Sequence, residues 1–556
     1  MVNAKTSLCQ QCGCKMRTGS EESAFVCPEC GAENVLPQIQ GRGIDTKGAA
    51  RAKHRRSTGK VLLFLLLIVL LGLASGFLVG MGAGGLMNAG PSIVREDHVA
   101  GAYTIDAYSD GTCVIREYSG ADTVLTIPAE MEGYRVTVIG AGAFMGCRSL
   151  TEVVVPQGVD AIGDHAFYYC RNLKGISIPE GVIYIGKSAF AGCDSLLSVA
   201  VPAGVTEIAE STFHGCKALT EISIPEGVEV IGSCAFMDCE SLAQIRIPAS
   251  VTMIGESAFA SCDVLTTLVL PKGVTAIGAW TFCFCEALTT VHLPETLMTI
   301  GEYAFFDCDA LTAIDLPEGL TSIGDCAFDD CDALTAIRLP DSLTKLGVNP
   351  FADCSRLICI ELSGDHPVLA LSDGLLFDRL EKRLVYYPVW RTDAVYAVPQ
   401  GTLTIGGMAF WGNSHLQQLT LAQGVTQIGY RAFTNCTALK RVILPQSLNM
   451  IGAEAFSGCS ALLAADLPDG MTDIESMVFS GCTSLNEVYL PDNLRVIGSG
   501  AFSACDALTT LTIPAGVTDI GAFAFSLDDN TTLRVHRDSF AADYAQEWSV
   551  PFVYLD

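Results

Sequence analysis

From residue 140 onward the apolar positions return on a fixed period. Phenylalanine, mostly preceded by Ala or Thr, stands at 144, 167, 190, 213, 236, 259, 282, 305, 328 and 351, and again at 410, 433, 456, 479, 502 and 525. Every step within a series is 23 residues, which makes sixteen units. A column of prolines runs at the same period from Pro156 to Pro340. Such a period marks a solenoid: each unit can bury its apolar face only against its neighbours, and none folds alone.

The unit LTEVVVPQGVDAIGDHAFYYC, beginning at Leu150, shows what one coil contains. Leu150, Val153, Val155, Val159, Ile162, Phe167 and Cys170 are the candidates for its interior. Val153 and Val155 alternate as a strand does, Pro156 stops the strand, and Gly163 makes a turn. Phe167, Cys170 and Leu173 have the i, i+3 spacing of a helical turn. Each coil is therefore expected to be strand, turn and short helix, with equivalent strands pairing in parallel at about 4.8 Å. The fold class expected is a repeat solenoid of the α/β leucine-rich-repeat type, with 23-residue units and parallel strands.

Fourteen of the 24 cysteines stand three residues after these phenylalanines, at every unit from Cys147 to Cys354 and then at Cys436, Cys459, Cys482 and Cys505; Asn413 and Asp528 break the column. A small, readily buried side chain at one fixed position reads as an interior ladder. The pattern is roughly Leu-Thr-x-Ile-x-Ile-Pro-x-Gly-Val-Thr-x-Ile-Gly-x-x-Ala-Phe-x-x-Cys-x-x-Leu. It closely resembles the BspA-like leucine-rich repeat family of microbial surface proteins. The resemblance covers residues 120–556, with IPAEMEGYRVTVIG similar to the family's opening coil and SFAADYAQEWSVPFVYLD to its closing cap. It implies a non-catalytic surface protein that binds macromolecules of a host or neighbouring cell, and it implies no particular ligand.

The repeats occupy 123–354 and 400–527. Ahead of them, residues 98–122 alternate apolar and polar positions around Asp110-Gly111, a hairpin signal that suits an N-terminal cap. Behind them, residues 528–556 form a C-terminal cap, with Ala541, Tyr544 and Trp548 on one helix face followed by the short strand PFVYLD. Between the two series, residues 355–399 form a longer unit rich in aromatics. Tyr386, Tyr387, Trp390 and Tyr396 are candidate binding anchors there if exposed. The alternative is that they pack over the two half-solenoids as a bent connector.

Residues 61–81 run for 21 positions without a charge, long enough at helical rise to cross a hydrocarbon core of about 30 Å. A single transmembrane helix is expected, with a basic linker (36–60) before it and a second linker (82–97) after it. Arg51, Lys53, Arg55, Arg56 and Lys60 precede the span and little positive charge follows, so the N-terminus is expected in the cytoplasm and the array outside the cell. In residues 1–35, Cys9-Gln-Gln-Cys12-Gly and Cys27-Pro-Glu-Cys30-Gly stand fourteen residues apart. Four thiolates at that spacing suit one tetrahedral Zn²⁺, a structural zinc ribbon held by Cys9, Cys12, Cys27 and Cys30, with Cys14 as a spare thiol.

The formal net charge is −28, yet the first sixty residues carry ten Lys/Arg against five Asp/Glu, which leaves the remainder at −33. Such a surface repels nucleic acid. Acidic residues recur beside the cysteine column at Asp238, Glu240, Asp263, Glu286, Asp307, Asp309, Asp330 and Asp332, then Asp353. Stacked coils place them as a ladder: a solvated face, a hard-oxygen site for Ca²⁺, or a steering surface for a basic partner. The eight histidines, among them His165, His214, His292 and His415, fall at different phases of the repeat, so no catalytic or metal-binding cluster follows. The function expected is a single-pass cell-membrane protein whose array binds an extracellular protein or glycan without catalysis. An envelope spacer and a sensor coupled to the zinc ribbon are the alternatives.

Overall fold

The computed structural model describes residues 91–525 and 531–555, together with four short strands nearer the N-terminus. Lys5–Leu8 pairs with Lys15–Thr18, and Ala24–Val26 runs antiparallel to Glu33–Val35. Cys9, Cys12, Cys27, Cys30 and the apolar run 61–81 lie outside the described residues. Among the described residues, no helix is long and apolar enough to cross a membrane.

The array opens with three antiparallel strands, Ile93–Ala100, Tyr103–Tyr108 and Thr112–Tyr118. The reversal between the last two is set by Asp110, whose carboxylate accepts from the Thr112 backbone N–H at 3.1 Å and its hydroxyl at 2.7 Å, and by Gly111 at φ 80°. Thr112–Tyr118 then pairs in parallel with Tyr134–Ile139 and starts the stack. From there each coil advances by one period: Glu152–Val154 lies beside Gly175–Ser177 with Val153 opposite Ile176, and Ala161–Ile162 lies beside Tyr184–Ile185 with Ile162 opposite Ile185. Val153, Val155, Val159, Ile162, Phe167 and Cys170 are all buried, while Val154 between the first two is exposed.

The expected helix in each coil is not there. Among the described residues the one α-helix is Phe540–Glu547 in the C-terminal cap, so the array is a parallel β-solenoid. Phe167, Cys170 and Leu173 do make successive three-residue turns, Cys170 N–H to Phe167 at 3.1 Å and Leu173 N–H to Cys170 at 3.0 Å. But His165 and Tyr169, two residues either side of Phe167, both have φ 57°, a left-handed conformation that stops a right-handed helix from propagating. The alternate N–H groups then reach across to the next coil: His165 to Lys187, Phe167 to Ala189 and Tyr169 to Ala191, each at 2.8 Å. Hydrogen bonds that a helix would close internally here tie coil to coil.

The interior carries two ladders. The phenylalanine rings stack face to face through most of each series, centroids running from 4.9 Å for Phe144 and Phe167 to 6.0 Å for Phe328 and Phe351. Tyr118 extends the stack at one end and Tyr544, from the capped helix, meets Phe525 at the other. Beside it, the column cysteines from Cys170 on donate their S–H to the carbonyl of the phenylalanine one coil back, as Cys170 does to Phe144 at 3.1 Å and Cys482 to Phe456 at 3.2 Å, while Cys147 donates to Tyr118. Burial pushes the thiols up, to about 12 for Cys170 and Cys285. Where Asn413 replaces the cysteine it is fully buried, and its amide oxygen accepts from the His415 and Leu416 N–H groups.

The interruption is one more coil. Tyr387 stands 23 residues before Phe410, and 36 residues after Phe351, thirteen more than a period. Its N–H donates to Ala409 at 2.8 Å, the bond that ladder phenylalanines such as Phe167 and Phe410 make to the next coil, and its ring stacks on Phe410 at 4.5 Å. The surplus residues leave as the antiparallel strands Leu369–Ser372 and Leu375–Asp378, the second of which pairs with Arg383–Tyr386, itself parallel to Thr404–Ile405 of the next coil. Tyr386 meets Phe351 edge-on at 6.1 Å. The core of the first series ends at Tyr386, and that of the second takes up Leu384 and Tyr387.

Candidate binding surface

The insert aromatics are core and connector, which corrects the expectation that they form exposed anchors. Tyr386 and Tyr387 are 2% and 1% exposed because they complete the ring ladder. Trp390 is half-buried and donates its indole N–H to the Leu357 carbonyl at 2.7 Å. Tyr396 packs edge-on against Tyr387 at 5.2 Å, with the Arg391 guanidinium near both rings. Arg391 is itself held by Asp373 at 2.9 Å and Asp393 at 2.6 Å.

The acidic ladder resolves into two columns with different causes. Asp238, Asp307, Asp330 and Asp353 stand two residues after a ladder phenylalanine, at φ 58°, 57°, 60° and 51°. Other coils place Gly146, Gly192, Gly215 or Asn435 at that turn. Gly, Asn and Asp are the residues that tolerate a left-handed backbone, so this column follows from the turn. Glu240, Asp263, Glu286, Asp309 and Asp332 directly follow the column cysteine. They continue a line that opens with Arg148, Arg171, Asp194 and Lys217, where Arg171 faces Asp194 at 3.7 Å and Lys217 meets Glu240 at 2.5 Å. Farther along, His214 Nε2 lies 3.3 Å from Asp238, and Ser355 donates to Asp332 at 2.7 Å. Carboxylate oxygens of Asp309, Asp330 and Asp332 all lie within 4.8 Å of one another. Three hard oxygens that close together could share one Ca²⁺.

Crowding shows in Asp263, whose carboxyl is pushed from 3.8 up to about 6, first by lost solvation, then by Glu286, Glu240 and Asp238, with Lys217 opposing. Between those two values the folded chain holds a proton that the unfolded chain has released, so this group's contribution to stability falls as pH rises through that window. Above it, the charged carboxylate is a net cost. Asp263 is nonetheless exposed, so solvent screens much of this effect; Asp263→Asn should stabilise the protein only modestly at about pH 7.5 and flatten the pH dependence between about pH 4 and pH 6. Denaturant midpoints at the two ends of that range check it; a variant weaker than wild type at the higher pH would contradict it.

Sequence reasoning missed a second group. Trp280, Phe284, Tyr303 and Phe306, from two adjacent coils, form one half-buried aromatic cluster. Trp280 stacks on Tyr303 at 4.0 Å and 11°, while Phe306 stands edge-on to Trp280, Tyr303 and Phe284 at 6.1, 5.8 and 5.2 Å. Trp280, Phe284 and Tyr303 have φ 58°, 60° and 51°. A bulky residue in that conformation costs on the order of 1–2 kcal/mol relative to glycine. Other coils fill the same columns with Ser188, Ser211, Ser257 or Gly215. The available signal was the coincidence of four rings in two successive units at repeat positions that hold a mixture of small and large residues elsewhere.

On the long-strand face, Glu221, Ile245, Arg246, Val269, Lys272 and His292 line a groove where the strand ladder is interrupted at 244–246. Arg246 is paired there with Glu226 at 3.1 Å. No nucleophile, base and orienting group converge in it.

The profile of the BspA type leucine rich repeat region matches residues 137–266, 252–369 and 403–532, well over half of the chain. No curated protein matches. Among solved structures, the chain is similar to a leucine rich cell surface protein from Faecalibacterium prausnitzii, at 27% identity over 76% of this chain and 94% of that one with a TM-score of 0.41. It is also similar to a leucine-rich repeat protein from Bacteroides ovatus, at 27% identity over 83% and 100% with a TM-score of 0.42. Repeat proteins of this kind are in general non-catalytic and bind protein ligands. The chain belongs to the BspA type leucine rich repeat family.

Proposed function

We propose that this chain is a single-pass, membrane-anchored cell-surface protein whose array binds an extracellular protein or glycan without catalysing a reaction. The observation that carries the reading is the array itself: tightly coupled coils hold fixed columns of side chains in register, a rigid surface suited to wide, shallow recognition. The charge-free run at 61–81 and the basic residues before it support the anchor and its direction. Cys9 and Cys12 fall between the paired strands Lys5–Leu8 and Lys15–Thr18, and Cys27 and Cys30 between Ala24–Val26 and Glu33–Val35. A cysteine pair between two paired strands is the local arrangement a four-thiolate zinc ribbon needs.

Protease treatment of intact cells expressing the full chain should remove the array and leave the first sixty residues protected, and the same full chain should hold about one zinc, lost on Cys27→Ser. Full protection of the array would overturn the topology. A shaved array that captures no extracellular protein or glycan in a pull-down would favour the envelope spacer instead.

A further inference from the structure

The aromatic cluster of Trp280, Phe284, Tyr303 and Phe306 has no role in the ring ladder, which runs through Phe282 and Phe305. Nor does the turn ask for it: Ser257 holds the position of Trp280 one coil earlier, and Ser261 that of Phe284. Three of the four rings sit where the backbone is left-handed, a conformation folding fills better with Gly, Ser or Asn. The repeat imposes that backbone at the same columns in nearly every coil, so what sets this place apart is the contact among four large rings rather than the backbone itself. The same columns carry other large side chains, His165, Tyr169, Met408 and Arg431 among them, but here four rings from two coils touch one another, with Tyr303 backed by the buried Cys326 and Met408.

Charge says what that patch faces. Residues 273–337 contain eleven Asp/Glu and not one Lys or Arg. Asp307 follows Phe306 in the chain and succeeds Phe284 in its column, and Asp309, Asp330 and Asp332 lie on the same side of the turns. An aromatic face draws a cation by its quadrupole and its apolar area together, and surrounding carboxylates raise the local concentration of cations and steer them in. Anionic or neutral partners gain nothing from that field.

We infer that Trp280, Phe284, Tyr303 and Phe306 form the docking anchor for a lysine- or arginine-bearing segment of a protein partner. This rests on the surface-binding reading above and names its partner class. The basic side chains pack against the Trp280–Tyr303 stack, and the acidic columns on the next coils hold the flanking charges.

The test uses the full chain and three probes: a labelled peptide of alternating arginine and glycine, its glutamate counterpart, and a neutral β-glucan oligosaccharide. Wild type should bind only the arginine peptide. Trp280→Ser with Tyr303→Ser, side chains the same column already carries elsewhere, should weaken that binding by about tenfold or more at physiological salt with the melting curve intact. Tyr303→Phe, which keeps the ring, should retain it. Equal binding by wild type and the double variant would reduce the effect to bulk charge and overturn the anchor. Glycan binding lost in the double variant, or no peptide binding by wild type, would also overturn it. Those failures leave the surface-binding reading to its own shaving and capture experiment, which does not depend on these four rings.

Discussion

Tyr387→Ala should cost about 3–5 kcal/mol and split one unfolding transition into two. Tyr387 is 1% exposed and carries the ring ladder across the interruption, stacked on Phe410 at 4.5 Å. It also stands at the boundary between the two apolar cores, one ending at Tyr386 and the other beginning with Leu375, Leu384 and Tyr387. In a stack whose stability is a sum of coil and nearest-neighbour contributions, weakening one interface lets the two sides melt separately. Urea unfolding should show the second step in the variant. A single transition moved by less than about 1 kcal/mol would mean that Asn349, whose side chain donates to the Met408 carbonyl at 2.7 Å, joins the halves without it.

Phe259→Ala should be as costly, about 3–5 kcal/mol, for a different reason. Its ring is fully buried and stacked on both sides, on Phe236 at 5.3 Å and Phe282 at 5.7 Å. The coils around it have no slack, because each is hydrogen-bonded to the next through Phe259 N–H to Thr281 and its neighbours. The cavity cannot collapse, so the full cost of the lost ring is felt. Hydrogen exchange should speed up most in the coils next to residue 259 and fade with distance along the stack. An equal acceleration from end to end would show that the array unfolds as one unit.

How much of this was legible beforehand follows from what a period can encode. The 23-residue step, the strand at Val153 and Val155, the interior cysteines and the reversal at Asp110-Gly111 all lie in the spacing of apolar and turn residues. The helix was misread because i, i+3 spacing is shared by a helix and by stacked three-residue turns. What separates them is the sign of φ at His165 and Tyr169, and neither residue announces it. Glycine or asparagine at the same column in other coils, Gly146 and Asn435, was the hint. Tyr387 was legible too, since it stands one period before Phe410, but only if tyrosine is allowed in a phenylalanine column. The aromatic cluster asked for the opposite habit: noticing Trp280 and Phe284 because the repeat does not need them. The acidic columns were visible as charge, whereas the backbone cause of half of them was not.

The sulfur ladder has a chemical consequence. A thiol reacts with oxidants and alkylating agents as its thiolate, and a group held at about 12, as Cys285 is, is thiolate at neutral pH in roughly one molecule in 10⁵. The column thiols also already donate to carbonyls inside closed coils, with neighbours rather than water around them. Of the described cysteines, only Cys147 and Cys234 are less than fully buried. A cysteine-rich array can thus remain chemically quiet in surroundings that would cross-link an open chain of the same composition.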